Sequence, residues 1–203
     1  MQVVLPDTED SYAIRPTAPM DNDVFYEFCM ANSDLRIERE ANGEIIIMPP
    51  TGGETGFRNG ELMTQLGVWS KADGRGRAFD SNTEFFLPDG SAFAPDASWV
   101  SKERLAALSK EDRRRFVPLC PEFIVELTSP TDRLSRVMAK MKAWMANGAE
   151  LAWLIDADNR VVYVYRPGNE PVRLTGLDAI DGEEPVTGFR LDLTDIWEGL
   201  ESV

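Results

Sequence analysis

The chain contains no histidine in its 203 residues. Ser-His-Asp and Cys-His catalysis are therefore excluded, as are the usual histidine-rich zinc sites. Cysteine is almost as scarce: Cys29 and Cys120 lie far apart and in no CxxC pair. That argues against a disulfide framework or a cysteine zinc site and fits a reducing cytoplasm. No run approaches the ~18 apolar residues of a membrane helix. The N-terminal stretch MQVVLPDTEDSYAIRP lacks a basic start followed by an apolar segment, so no secretory leader is read there. Positive charge is also in short supply, with 21 basic against 35 acidic residues and a net charge of −14. Such a balance opposes broad, nonspecific binding to nucleic acid.

The deficit is uneven. Between Thr128 and Met145 four basic residues (Arg133, Arg136, Lys140, Lys142) accompany one acid, Asp132, whereas Arg166 to Val203 holds nine acids and three bases. The middle of the chain can meet phosphates; the C-terminal region cannot. With histidine absent, chemistry must run on carboxylates, lysines, hydroxyls or metals that prefer oxygen. Mg²⁺ or Mn²⁺ is the natural cofactor. A composition of 43% hydrophobic and 28% charged residues suits a globular protein, and the length suits one core.

Apolar spacing in Asp21–Asn32, with Val24, Phe25, Phe28 and Cys29, predicts a first helix. Strands follow at Asp34–Arg39 and Glu44–Met48 around the turn Ala41-Asn42-Gly43. Thr51 to about Lys71 reads as a helix, and Ala78–Phe79, Thr83–Leu87 and Phe93–Val100 as strands. After a short helix at Ser101–Leu108 comes an apolar strand, Glu122–Thr128. An amphipathic helix, Leu134–Ala146, ends at Asn147-Gly148. Strands Leu151–Asp156 and Arg160–Tyr165, then further short strands and a last turn of helix near Leu193–Trp197, complete the chain. The predicted class is α/β (mixed α+β), a mixed sheet with helices packed on it.

Two acids stand out. Asp96 follows Pro95 at the start of a strand, and Glu126 ends the apolar strand Phe-Ile-Val-Glu-Leu. A carboxylate in such a strand is costly to bury unless it is paired or holds a metal. If the strands are neighbours, both acids point to one place and suit Mg²⁺, which activates water and polarises a phosphoryl oxygen. The plainer reading makes Asp96 a turn residue and Glu126 the partner of an arginine. Lys140 and Lys142 flank the apolar arc of the following helix on opposite sides. Periodicity does not choose between them, and either reads equally as a snorkelling surface lysine. Glu54 fits a capping box with Thr51 or a third site carboxylate. Glu61 and Glu84 read as solvated, Ser129 as a turn residue, and Trp144, Trp153, Tyr163 and Tyr165 as packing. The glycines of Thr51–Gly56 do not match a phosphate loop.

PDASWV (95–100), PEFIVELTSPTDRL (121–134) and KMKAWMANGAELAWLID (140–156) together resemble the Uma-type family of restriction-endonuclease-like proteins. The similarity runs from PPTGGETGFRNGEL, starting at Pro49, through VVYVYRPG (161–168) to GFRLDL (188–193). The resemblance implies the PD-(D/E)xK nuclease fold, a central mixed sheet flanked by helices. It also implies one domain over 1–203: an N-terminal helix and hairpin (1–48), a nuclease core (49–168) and a C-terminal extension (169–203). Carried over, Asp96 is the motif aspartate and Glu126 the second acid, and Leu127 joins them as a metal ligand. The usual lysine position holds Thr128, and the family pattern aligns Lys140, not Lys142, with the lysine that orients the attacking water. Where relatives carry a histidine this chain has Glu-Thr-Gly (54–56), which makes Glu54 the third site residue.

The function so implied is endonucleolytic hydrolysis of DNA phosphodiester bonds with Mg²⁺ or Mn²⁺. A homodimer is the natural assembly for cutting two strands. A noncatalytic binding or regulatory module retaining the fold is the alternative, and a two-carboxylate glycosidase a more distant one.

Overall fold

The structure, a computed structural model, describes residues 12–130 and 132–200. The segment read for a leader lies outside them up to residue 11, as do Thr131 and residues 201–203. In chain order the elements begin with β1 (Tyr12–Ile14), α1 (Asn22–Ala31), β2 (Arg36–Arg39), β3 (Ile45–Met48) and α2 (Gly53–Asp73). There follow β4 (Gly76–Asp80), β5 (Phe85–Phe86), β6 (Ala92–Phe93), β7 (Ala97–Ser101), α3 (Lys102–Ala107) and β8 (Phe123–Leu127). The chain continues through α4 (Leu134–Ala146), β9 (Leu151–Asp156), β10 (Val161–Tyr165) and β11 (Val172–Thr175). It closes with β12 (Ala179–Asp181), β13 (Arg190–Asp192) and α5 (Thr194–Glu198).

The mixed α/β class read from the sequence is the class observed. The strands form a mixed six-stranded sheet, β11-β10-β9-β8-β7-β4, an antiparallel five-stranded sheet, β1-β3-β2-β6-β5, and the small pair β12-β13. Only β8 and β9 run parallel in the large sheet, and α4 makes the crossover between them, as a parallel pair requires.

Strand alternation divides the large sheet into two dry faces. Phe123, Val125 and Leu127 of β8 look toward α2, α5 and the β12-β13 pair, in one cluster with Phe189, Leu191 and Ile196. The segment after residue 169 is thus packed into the main core. Ile124, Ala152 and Leu154 look the other way, onto Met141 and Trp144 of α4 and Phe85 and Phe93 of the smaller sheet. A third cluster, around Phe25 and Ile37, fills the space between α1 and the smaller sheet. Asp21 caps α1 by accepting from the Val24 amide at 2.9 Å. Gly74 ends α2 with φ +76°, in the left-handed region that favours glycine.

The expected strand Phe93–Val100 is a correction. It divides into β6 and β7, which belong to different sheets. Pro95 has no amide hydrogen to continue a ladder, and Ala94-Pro95-Asp96 carries the chain from one sheet to the other. The expected strand Thr83–Leu87 shortens to β5, and β1 falls where no strand was expected.

Candidate active site

The crossing between the sheets builds the site. β7 and β8 pair antiparallel with Ala97 opposite Val125. One step along that register sets Asp96 level with Glu126. Glu126 alternates with Val125 and so faces α4, whereas Asp96, one residue before β7, sits at the strand end within reach of both β8 and α2. Like charges so placed repel, and each acid is held in place by specific donors. The Leu127 amide donates to Asp96 Oδ2 at 2.8 Å, and Asn59 Nδ2, from α2, to Asp96 Oδ1 at 3.0 Å. Trp144 Nε1 donates to Glu126 Oε1 at 2.8 Å.

Helix α4 supplies the cation. Lys140 and Trp144 lie four residues apart and therefore share a helix face, and Lys140 Nζ stands 2.9 Å from the same Glu126 oxygen. Lys142 is exposed on the opposite side. Tertiary packing thus decides the choice that periodicity left open. Thr128, where the resemblance expects a lysine, is tied into the sheet, its amide donating to the Ile155 carbonyl at 2.9 Å.

A further acid enters from the smaller sheet. Glu38 of β2 is 5% exposed. Its Oε1 accepts from Lys140 Nζ at 2.8 Å and from the Ala94 amide at 3.0 Å. The Ala94 carbonyl accepts from Lys140 at 3.2 Å. Glu84 is also buried, with Oε1 lacking a partner among the described residues. The solvated position expected of it is therefore corrected, and Glu38 was not singled out in the sequence at all. In Arg-Ile-Glu-Arg the alternation sends Ile37 to the core and reads Glu38 as facing water. The second sheet with its helix covers that side.

The electrostatics follow from this crowding. Burial pushes the Glu126 carboxyl up to about 7, Lys140 works against that, and Asp96 and Glu38 add to it. Burial also raises Asp96, against the Leu127 amide, Lys140 and Arg36. Glu84 is driven well above the carboxylate range by burial and by Glu38. Burial alone would lower the Lys140 pKa, but the charges of Glu126 and Glu38 outweigh it and raise the value. Two buried acids, Glu38 and Glu126, therefore bond one ammonium, with buried Glu84 and half-buried Asp96 close enough to feel its charge.

Among the described residues no three acids or thiols are grouped tightly enough to cage a metal by themselves. The donor set beside Lys140 is two carboxylates, Asp96 and Glu126, and the main chain of Leu127. In a strand a residue's N–H and C=O point to the same side, so the Leu127 carbonyl shares the side on which its amide meets Asp96. Oxygen donors in this number, with an excess of negative charge, fit a hard divalent ion that keeps several waters.

Glu54 stands apart from these groups. It bonds Arg58 at 3.0 Å, and Arg58 in turn pairs with Asp158. Nor does it close a capping box: the α2 N-cap is Gly52, without a side-chain bond, and Thr51 meets Arg36.

The chain is similar to a protein family and to solved structures. The model of the Uma2 family, described as "Putative restriction endonuclease", matches residues 23–194. A solved structure described as "a putative nuclease belonging to DUF820", from Anabaena variabilis ATCC 29413, has a TM-score of 0.67 and 22% identity. The alignment covers 80% of this chain and 89% of that one, and establishes a shared fold. No curated protein matches the chain.

Proposed function

This chain belongs to the Uma2 family, and on that premise we propose that it is a metal-dependent endodeoxyribonuclease that hydrolyses DNA phosphodiester bonds at Asp96, Glu126 and Lys140. The observation that carries the reading is the 2.9 Å contact between Lys140 Nζ and Glu126 Oε1, on the strand position level with Asp96. Glycoside hydrolysis also needs two carboxylates, but the family match favours the nuclease reading over it.

Asp96 and Glu126, with the Leu127 carbonyl, would hold Mg²⁺ or Mn²⁺. When bound, the ion supplies a Lewis acid for a phosphoryl oxygen and a lowered pKa for the attacking water. The protein's own groups do the rest. Asn59 and the Leu127 amide fix the Asp96 carboxylate, and the Trp144 indole fixes that of Glu126. The Lys140 ammonium orients the nucleophilic water and offsets the charge that grows on the phosphate. Its low-dielectric setting strengthens that interaction relative to water.

The test is nicking of supercoiled plasmid with Mg²⁺. Asp96→Ala, Glu126→Ala and Lys140→Ala should each lower the rate by about 100-fold or more. Equal rates in all three variants and the parent would assign the nicking to a contaminant and reject the proposal.

A further inference from the structure

We infer that Glu38 is the positioning residue of the site: one of its oxygens, reaching across from the smaller sheet, aims the Lys140 ammonium. The inference rests on the nuclease reading for what Lys140 does, and on geometry for what Glu38 does. An ammonium has three N–H donors, and Lys140 finds three acceptors: Glu38 Oε1 at 2.8 Å, Glu126 Oε1 at 2.9 Å and the Ala94 carbonyl at 3.2 Å. Without Glu38 the amine would rest mainly on Glu126, the residue that needs its oxygens for the metal. With Glu38 the amine is shared, and its direction is set by groups from two sheets.

The same Glu38 oxygen accepts from the Ala94 amide at 3.0 Å, two residues before Asp96. A single carboxylate oxygen thus ties the lysine to the segment that carries the first acid. Burial of Glu38 at 5% exposure keeps water from replacing either bond, and its charge makes both stronger than neutral bonds.

The discriminating variant is Glu38→Gln. It keeps the shape and the oxygen acceptor for the Ala94 amide and removes only the charge that holds Lys140. A purely structural Glu38 would tolerate it. We expect kcat for plasmid nicking to fall by about 10- to 100-fold, with KM, melting temperature and DNA affinity in Ca²⁺ unchanged. Glu38→Asp, which keeps the charge but shortens the reach, should fall in the same way. A second readout does not depend on cleavage: the ¹⁵N ammonium resonance of Lys140, protected by its bonds in the parent protein, should broaden or vanish in Glu38→Gln. Parent-like kcat in Glu38→Gln, with Lys140→Ala inactive, would overturn the inference and leave the nuclease reading standing. If no variant or parent cleaves DNA, the nuclease reading fails, and an unchanged Lys140 resonance would then reject the role of Glu38 as well.

Discussion

Arg58 and Lys140 are each gripped by two acids, and the grips are opposite in kind. Near the start of α2, Arg58 is the buried partner: its side chain is 4% exposed, while those of Glu54 and Asp158 keep 40% and 53%. Beneath α4, Lys140 keeps 18% exposure and its acids Glu38 and Glu126 only 7% and 8%. Around Arg58 the carboxylates stay hydrated and outside the core. Around Lys140 the carboxylates are the dry members, and with Asp96 and Glu84 beside them they outnumber the cation. Drying an excess of like charge costs free energy that apolar packing in the same place would avoid. Such arrangements concentrate where carboxylates have chemistry to perform. The Arg58 cluster is a tether, and the Lys140 cluster is the site we propose.

The most damaging way to probe this contrast is to delete the amine. Lys140→Met leaves Glu38 and Glu126 dry and unpaired, and should cost about 3 kcal/mol in urea unfolding near neutral pH. A loss below about 0.5 kcal/mol, within the range of ordinary surface substitutions, would mean that the contact is not an ion pair. Arg58→Met is the matching change at the tether. Its acids return to water, so the expected cost is about 1 kcal/mol, and plasmid nicking should be unaffected. Loss of nicking equal to that of Lys140→Met would erase the distinction.

A smaller effect tests a carboxylate outside both clusters. Asp89 joins the turn before β6 to the end of α4, accepting from the Ser91 amide at 2.9 Å and from Asn147 Nδ2 at 2.9 Å. Burial raises its pKa, but the bonds from Asn147 and Ser91 outweigh that and hold it below the ordinary value. A depressed folded-state pKa adds stability above the unfolded value of about 3.9. That contribution is lost as pH falls through the folded value. Asp89→Asn should therefore melt below the parent at about pH 6, with the gap closing under about pH 4. A gap independent of pH would show that Asp89 contributes through shape rather than charge.

Much of the proposed site was legible one residue at a time. Asp96 after proline, Glu126 in an apolar strand and Lys140 on the next helix are local facts, and α4 spans the residues that its apolar spacing predicts. Three things were not legible. Glu38 follows the alternation of a strand with one wet face, and nothing near it announces that a second sheet closes over that face. Glu84 reads as polar and solvated until β5 is packed against Trp144. Trp144 reads as core filling, which it is, but its indole hydrogen also lands on Glu126. Glu54 shows the reverse: a residue in a suggestive place whose bonded cation, four residues on, joins it to Asp158 instead.

By itself the sequence determined the helices and most of the strands, the absence of any imidazole chemistry and the oxygen-rich character of the candidate groups. These depend on residue type and short-range spacing, which a linear chain displays directly. Which acids meet one amine was decided only by the tertiary structure. The Lys140–Glu38 contact joins residues 102 positions apart, and it exists because a proline-broken crossing sends β6 and β7 into different sheets. The dielectric around a carboxylate is set by whatever folds over it, and no local pattern contains that information.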